Sequence, residues 1–127
     1  MDNVNKKILL VDDEPNILEA VGFLVQQQGY SVLKAQNGAD ALHKIKNQRP
    51  RVIVLDVMMP GMDGFEVARQ IRANAAYNNT HIIFLTAKGT DQDKKNGYAK
   101  GGEVYITKPF DNEELVDTIN ELMSYEI

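Results

Sequence analysis

Short apolar runs rich in β-branched residues alternate along this chain with longer stretches whose apolar positions recur every three or four residues, five times over. The pattern predicts a strand followed by a helix, repeated. The strands are placed at Lys7–Val11, Ser31–Ala35, Val52–Asp56, 81–85 and 104–107. Residues 8–11, 52–55 and 82–85 are apolar at nearly every position, as parallel strands covered by helices on both faces require. These three are therefore expected at the centre of the sheet.

Helical stripes fill the intervals. Ile17, Val21, Leu24 and Val25 form the first, Ala39, Leu42 and Ile45 the second, and Phe65, Ala68 and Ile71 the third. The last runs through Leu115, Val116, Ile119, Leu122 and Met123. Pro15 marks the first turn of the first helix. Asp63 with Glu66, and Asp111 with Glu114, have the spacing of a capping side chain followed three residues on by an acidic one. The segment 90–102 is the weakest helix, because it holds Gly97, Gly101 and Gly102 beside Lys94, Lys95 and Lys100. Each glycine costs a helix about 1 kcal/mol relative to alanine. Such a (βα)5 chain is expected to fold as an α/β, flavodoxin-like, open doubly wound parallel sheet of strand order 2-1-3-4-5 with right-handed crossovers.

Composition sharpens this picture. With 127 residues, 43% of them hydrophobic and 25% charged, the chain suits one domain spanning 1–127. No apolar run approaches the ~20 residues that cross a bilayer. Residues 1–7 are polar and lack a signal-peptide core, and cysteine is absent, so a cytoplasmic location is expected. The missing cysteines also remove disulfide scaffolds, thiolate metal sites and thiol nucleophiles. A net charge of −4 argues against direct nucleic-acid binding, which needs clustered Lys and Arg.

Ligands of such sheets bind beyond the carboxyl ends of the strands. There the chain places Asp12, Asp13 and Glu14 after strand 1, Asp56 after strand 3, Thr86 after strand 4 and Lys108 after strand 5. Strands 1 and 3 are neighbours in the expected order, so Asp12, Asp13 and Asp56 converge. Three carboxylates in one pocket need a compensating cation. Lys108 offers one charge, and a hard divalent ion, Mg²⁺, suits the oxygen ligands. The plainer reading of Asp12 and Asp13 as helix N-caps leaves Asp56 and Lys108 unexplained. Thr86 on its own is a strand-terminal residue and Tyr105 a half-buried aromatic of an edge strand. Pro60, Gly61, Asp63 and Gly64 read as turn chemistry. His43 and His81 receive no role.

The segments LLVDDE, VIVLDVMMPGMDGFE, IIFLTAK and YITKPF, in this order and each at a strand end, resemble the four signature segments of response-regulator receiver domains of two-component signalling. The resemblance covers essentially the whole chain, and the expected strand order rests partly on it. It implies a phosphoacceptor signalling switch, not an enzyme, whose only catalysis is its own phosphorylation and dephosphorylation. Asp56 would be the phosphoacceptor. Asp13 and Asp56 would ligate Mg²⁺ directly, Asp12 through water, and the Met58 carbonyl would complete the protein ligands. Thr86 and Lys108 would contact the phosphoryl oxygens, and Tyr105 would swing between outward and inward positions on activation. In this family the bond from Lys108 to Pro109 is commonly cis.

The implied donor is the phosphohistidine of a sensor histidine kinase or phosphotransfer protein, docking on the first helix over 15–28. The surface of segment 90–102, strand 5 and the last helix is expected to meet an output domain or protein, or a second copy on phosphorylation. Contact with nucleic acid or membrane is not expected. The physical logic holds without the family name: phosphoryl transfer asks a protein to align donor and acceptor and to neutralise developing charge. A metal-bound carboxylate can serve as the nucleophile, giving an acyl phosphate.

One departure and two tuning positions stand out. Many relatives have Gly-Ala-Asp-Asp where this chain has Gly101, Gly102, Glu103 and Val104, which alters expected surface contacts. Met58 and Lys88, two residues beyond Asp56 and Thr86, are where the family tunes acyl-phosphate lifetime. A haloacid-dehalogenase-like phosphatase would carry a second Asp two residues after the nucleophile, where Met58 stands. A flavodoxin-like flavin carrier would need a phosphate loop where Asp12, Asp13 and Glu14 would repel it.

Overall fold

The computed structural model describes residues 5–87 and 103–125. Its elements are β1 (Lys7–Val11), α1 (Pro15–Gln27), β2 (Ser31–Ala35), α2 (Gly38–Gln48), β3 (Val52–Asp56), α3 (Gly64–Arg72), a 3-10 turn (Ala75–Tyr77), β4 (His81–Ala87), β5 (Val104–Lys108) and α4 (Asn112–Ser124). The expected helix over 90–102, and Lys88, lie outside the described residues.

All five strands pair in parallel in the order β2-β1-β3-β4-β5, as the alternating pattern predicts. β3 is buried at every position, whereas the edge strand β2 exposes Ser31 and Lys34. Alternation along the strands divides the core in two. Leu9, Val11, Ile53, Leu55, Ile82 and Phe84 face α2 and α3, where Ala41, Ile45, Phe65, Ala68 and Ile71 meet them. Ile8, Leu10, Val52, Val54, Ile83, Leu85 and Ile106 face α1 and α4. The described part of the sheet is thus held from both sides, and its carboxyl edge is left as a rim.

Local details refine the expected boundaries. β4 runs two residues further than the apolar pattern indicates, and β5 one further, because Thr86 pairs with Thr107 and Ala87 with Lys108. Thr86 and Lys108 therefore stand on paired strand, not in loops. The caps follow the reading with one shift. Asp63 accepts a hydrogen bond from the Glu66 N–H at 2.9 Å, but Asp111 accepts from Glu113 at 3.0 Å instead of from Glu114. Both N–H groups are orphaned in the first turn, and either satisfies the cap.

Candidate functional site

Asp12 and Asp13 do not cap α1. Glu14 occupies the N-cap position, without a side-chain cap, and Pro15 opens the helix. Asp12 instead folds back, its Oδ1 accepting the Glu14 N–H at 2.9 Å, while its own N–H donates to the Ala35 carbonyl at 3.1 Å. This fixes the first acidic side chain at the rim between β1 and β2. Asp56 ends β3, where it pairs in register with Leu85 of β4. Thr86 thus stands one residue further along the neighbouring strand.

One carboxylate oxygen from each of Asp12, Asp13 and Asp56 lies within 4.8 Å of the others. Asp12 and Asp56 are buried and Asp13 is exposed, so the cluster opens to solvent on one side. The Lys108 ammonium, arriving from the end of β5 just before a cis bond to Pro109, lies 3.1 Å from Asp56 Oδ1 and 3.5 Å from Asp12 Oδ2. The Met58 N–H donates to the same Asp56 Oδ1 at 3.4 Å. Met58 is 53% exposed.

Burial, and secondarily the Asp12 carboxylate, push the Asp56 carboxyl up to about 6, although Lys108 and the Met58 N–H both pull it down. Burial also disfavours the charged form of Lys108, but the Asp56 and Asp12 carboxylates outweigh it and hold that ammonium above its ordinary range. Among the described residues three carboxylates face one ammonium, which leaves the pocket short of positive charge. A donor set made only of oxygens, open on one side, fits a hard divalent cation that keeps water ligands.

Gly64, expected as part of the turn after β3, is what brings α3 against the end of that strand at Asp56. A Cβ there would stand 2.5 Å from the Asp56 carbonyl oxygen and 2.9 Å from Val57 Cα. Its N–H donates to the Val57 carbonyl at 3.0 Å. The glycine is required by close approach and not by backbone angle. Its position directly after a capping Asp, eight residues beyond Asp56, is the only sequence signal of this.

Glu103 departs furthest from expectation. The change at 101–104 is expected to alter surface contacts, but the Glu103 side chain is only 1% exposed and pairs with Arg72 of α3 at 2.9 Å. Arg72 also donates to the Tyr77 carbonyl at 2.9 Å. Two residues on, Tyr105 is half-buried in β5, with its ring stacked on Phe84 at 5.2 Å.

Comparison with known proteins agrees with the geometry. Residues 8–120 match the response regulator receiver domain family. The chain belongs to that family. As a receiver domain it is 36% identical over 118 residues to the protein PilH of Pseudomonas aeruginosa, covering 93% of this chain and 98% of PilH. It is 42% identical to the alkaline phosphatase synthesis transcriptional regulatory protein PhoP of Bacillus subtilis, covering 88% of this chain and 46% of PhoP. The receiver thus spans about half the length of the transcriptional regulators it matches. Among solved structures, the chemotaxis protein CheY4 of Vibrio cholerae superposes with a TM-score of 0.82 at 37% identity, over 91% of this chain and 97% of CheY4. Membership makes the protein a signalling module of two-component systems with a general phosphoacceptor role, not a classical enzyme. Receiver domains interact with histidine kinases and output domains in general. Among the described residues no helix is long and apolar enough to cross a membrane.

Proposed function

We infer that residues 1–127 form a single receiver domain in which Asp56 accepts a phosphoryl group from the phosphohistidine of a sensor histidine kinase or phosphotransfer protein. The observation that carries this reading is a buried carboxylate, at a strand end, facing two further carboxylates and a lysine ammonium. Among the described residues the hydrogen-bond and ion-pair contacts of Asp56 fall on Oδ1, which leaves Oδ2 to attack phosphorus. Attack by Oδ2 forms the acyl phosphate as the phosphorus–nitrogen bond of the donor breaks. The imidazole leaves with the bonding pair and takes up a proton. Lys108 already spans the pocket and moves from the Asp56 carboxylate to the phosphoryl oxygens. The Thr86 hydroxyl, on the adjacent strand, donates to them.

Asp13 and Asp56 would hold Mg²⁺ directly, with Asp12 acting through water and the Met58 carbonyl completing the set. When bound, the ion supplies charge neutralisation and orients the transferring group. Asp12 also steadies Lys108, so its removal should disturb both cations of the site. The phosphorylated state then draws Thr86 toward the phosphoryl group and Tyr105 into the space it leaves, changing the surface around β5 and α4 that an output partner or second copy would read. The exposed Met58 side chain, beside the acyl phosphate, would modulate water access and hence lifetime.

The test is the intact mass of the protein after incubation with Mg²⁺ and acetyl phosphate. One added phosphoryl group, absent in Asp56→Asn and in chelator, is the expected result. Equal gain in Asp56→Asn would overturn the assignment.

A further inference from the structure

Three aromatic rings run from the phosphoacceptor side of the sheet to its edge. Phe65 is the second residue of α3, directly after Gly64, whose backbone rests against the Asp56 carbonyl. Its ring meets that of Phe84 in β4 with centroids 4.7 Å apart and planes tilted by 48°. Phe84 in turn stacks on Tyr105, its register partner in β5, at 5.2 Å and 26°. Phe65 and Phe84 are fully buried, at 1% and 0% exposure, whereas Tyr105 is half-buried.

We propose that Phe84 is a positioning residue of the switch, linking the start of α3 at the phosphoacceptor loop to the orientation of Tyr105, alongside the route through Thr86. This rests on the receiver reading above. Close-packed interiors pass on small displacements because there is no free volume to absorb them. A Cβ on Gly64 would have no room against the Asp56–Val57 peptide, so a shift of that peptide is felt by the start of α3. Phe65 carries the shift to Phe84, and Phe84 is the surface on which the Tyr105 ring lies. Stacked aromatic pairs have a preferred geometry that weakens once the rings slide apart. The stack therefore favours one orientation of Tyr105 in the resting protein. Moving Phe65 and Phe84 weakens that preference when Asp56 changes state. At the other end of α3, the Arg72–Glu103 ion pair ties the helix to the residue preceding β5, so α3 is held at both ends between the two sites.

The experiment uses the full chain with fluorotyrosine incorporated and the Tyr105 signal identified by Tyr105→Phe, in ¹⁹F NMR. Beryllofluoride with Mg²⁺ stands in for the phosphoryl group, and acetyl phosphate uptake by mass reports on the pocket. In Phe84→Leu, uptake should stay within about twofold of the wild type. The Tyr105 signal of the resting variant should move, and its change on adding beryllofluoride should fall to less than about half. Phe65→Leu, at the far end of the stack, should act in the same direction and serves if Phe84→Leu does not fold. Ile83→Val, buried on the opposite face of the same strand, controls for general loosening and should leave Tyr105 unmoved. An unchanged Tyr105 response in both ring variants, or an equal response in Ile83→Val, would overturn the proposal. Failure of the wild type to take up a phosphoryl group would remove the receiver chemistry and the proposal together, and is read separately by mass.

Discussion

Replacing Asp56 by asparagine should stabilise the metal-free protein at neutral pH. The Asp56 carboxyl is raised to about 6 from an ordinary 3.8, chiefly by burial and then by Asp12. A carboxyl raised on folding binds its proton more tightly in the native state, so the contribution of this group to stability is most favourable below about pH 4 and falls as pH rises from about 4 to about 6. Above that window the penalty is constant. The shift of roughly two pH units corresponds to about 3 kcal/mol as an upper value. Asparagine removes the charge but also the partner of Lys108, so the expected gain at pH 7.5 is about 1–3 kcal/mol, or roughly 4–12 °C in Tm for a chain of this size. At pH 4, where native Asp56 is already protonated, the gap should narrow to about 0.5 kcal/mol. The assay is urea denaturation of both proteins in chelator across pH 4–8. A stability difference that does not change with pH, or a less stable asparagine variant at pH 7.5, would refute the electrostatic account of this pocket.

Mg²⁺ should stabilise the wild type by about 2.7 kcal/mol at a hundredfold excess over its Kd, and Asp56→Asn far less, read as paired melting curves. Lys108→Met removes a group that pulls the Asp56 carboxyl down, so Asp56 should titrate above about 6 in metal-free ¹³C NMR, and uptake from acetyl phosphate should slow by about 10²-fold. Gly64→Ala would set a methyl 2.5 Å from the Asp56 carbonyl oxygen, so urea denaturation should show a loss of about 1–3 kcal/mol, together with slower phosphoryl uptake. Arg72→Ala leaves the Glu103 carboxylate buried without its partner and should cost about 3–5 kcal/mol, whereas an Arg72→Met, Glu103→Leu pair should cost much less.

The legible features were those that depend on neighbours in sequence or on strand adjacency. Residues 8–11, 52–55 and 82–85 are apolar throughout because helices cover both faces of those strands, and a run of that kind needs no tertiary knowledge to read. The convergence of Asp12, Asp13 and Asp56 followed from β1 and β3 being neighbours. What escaped was set by contacts made across the fold. β4 and β5 extend through Thr86 and Lys108 because each supplies the other with ladder partners, which an apolar count does not register. Glu103 is buried because α3 delivers Arg72, 31 positions earlier, against it. Gly64 and the stack of Phe65, Phe84 and Tyr105 depend on how α3 sits on the sheet, a geometry absent from local pattern.

The most direct measurement of the central claim is to locate the phosphoryl group. After reaction with acetyl phosphate and Mg²⁺, borohydride reduces an aspartyl phosphate to homoserine, and peptide mass mapping reads its position. Homoserine at position 56, and at neither Asp12 nor Asp13, is the result expected. Homoserine at position 12 or 13, or none despite phosphoryl gain in the intact mass, would contradict the assignment of Asp56 as the acceptor.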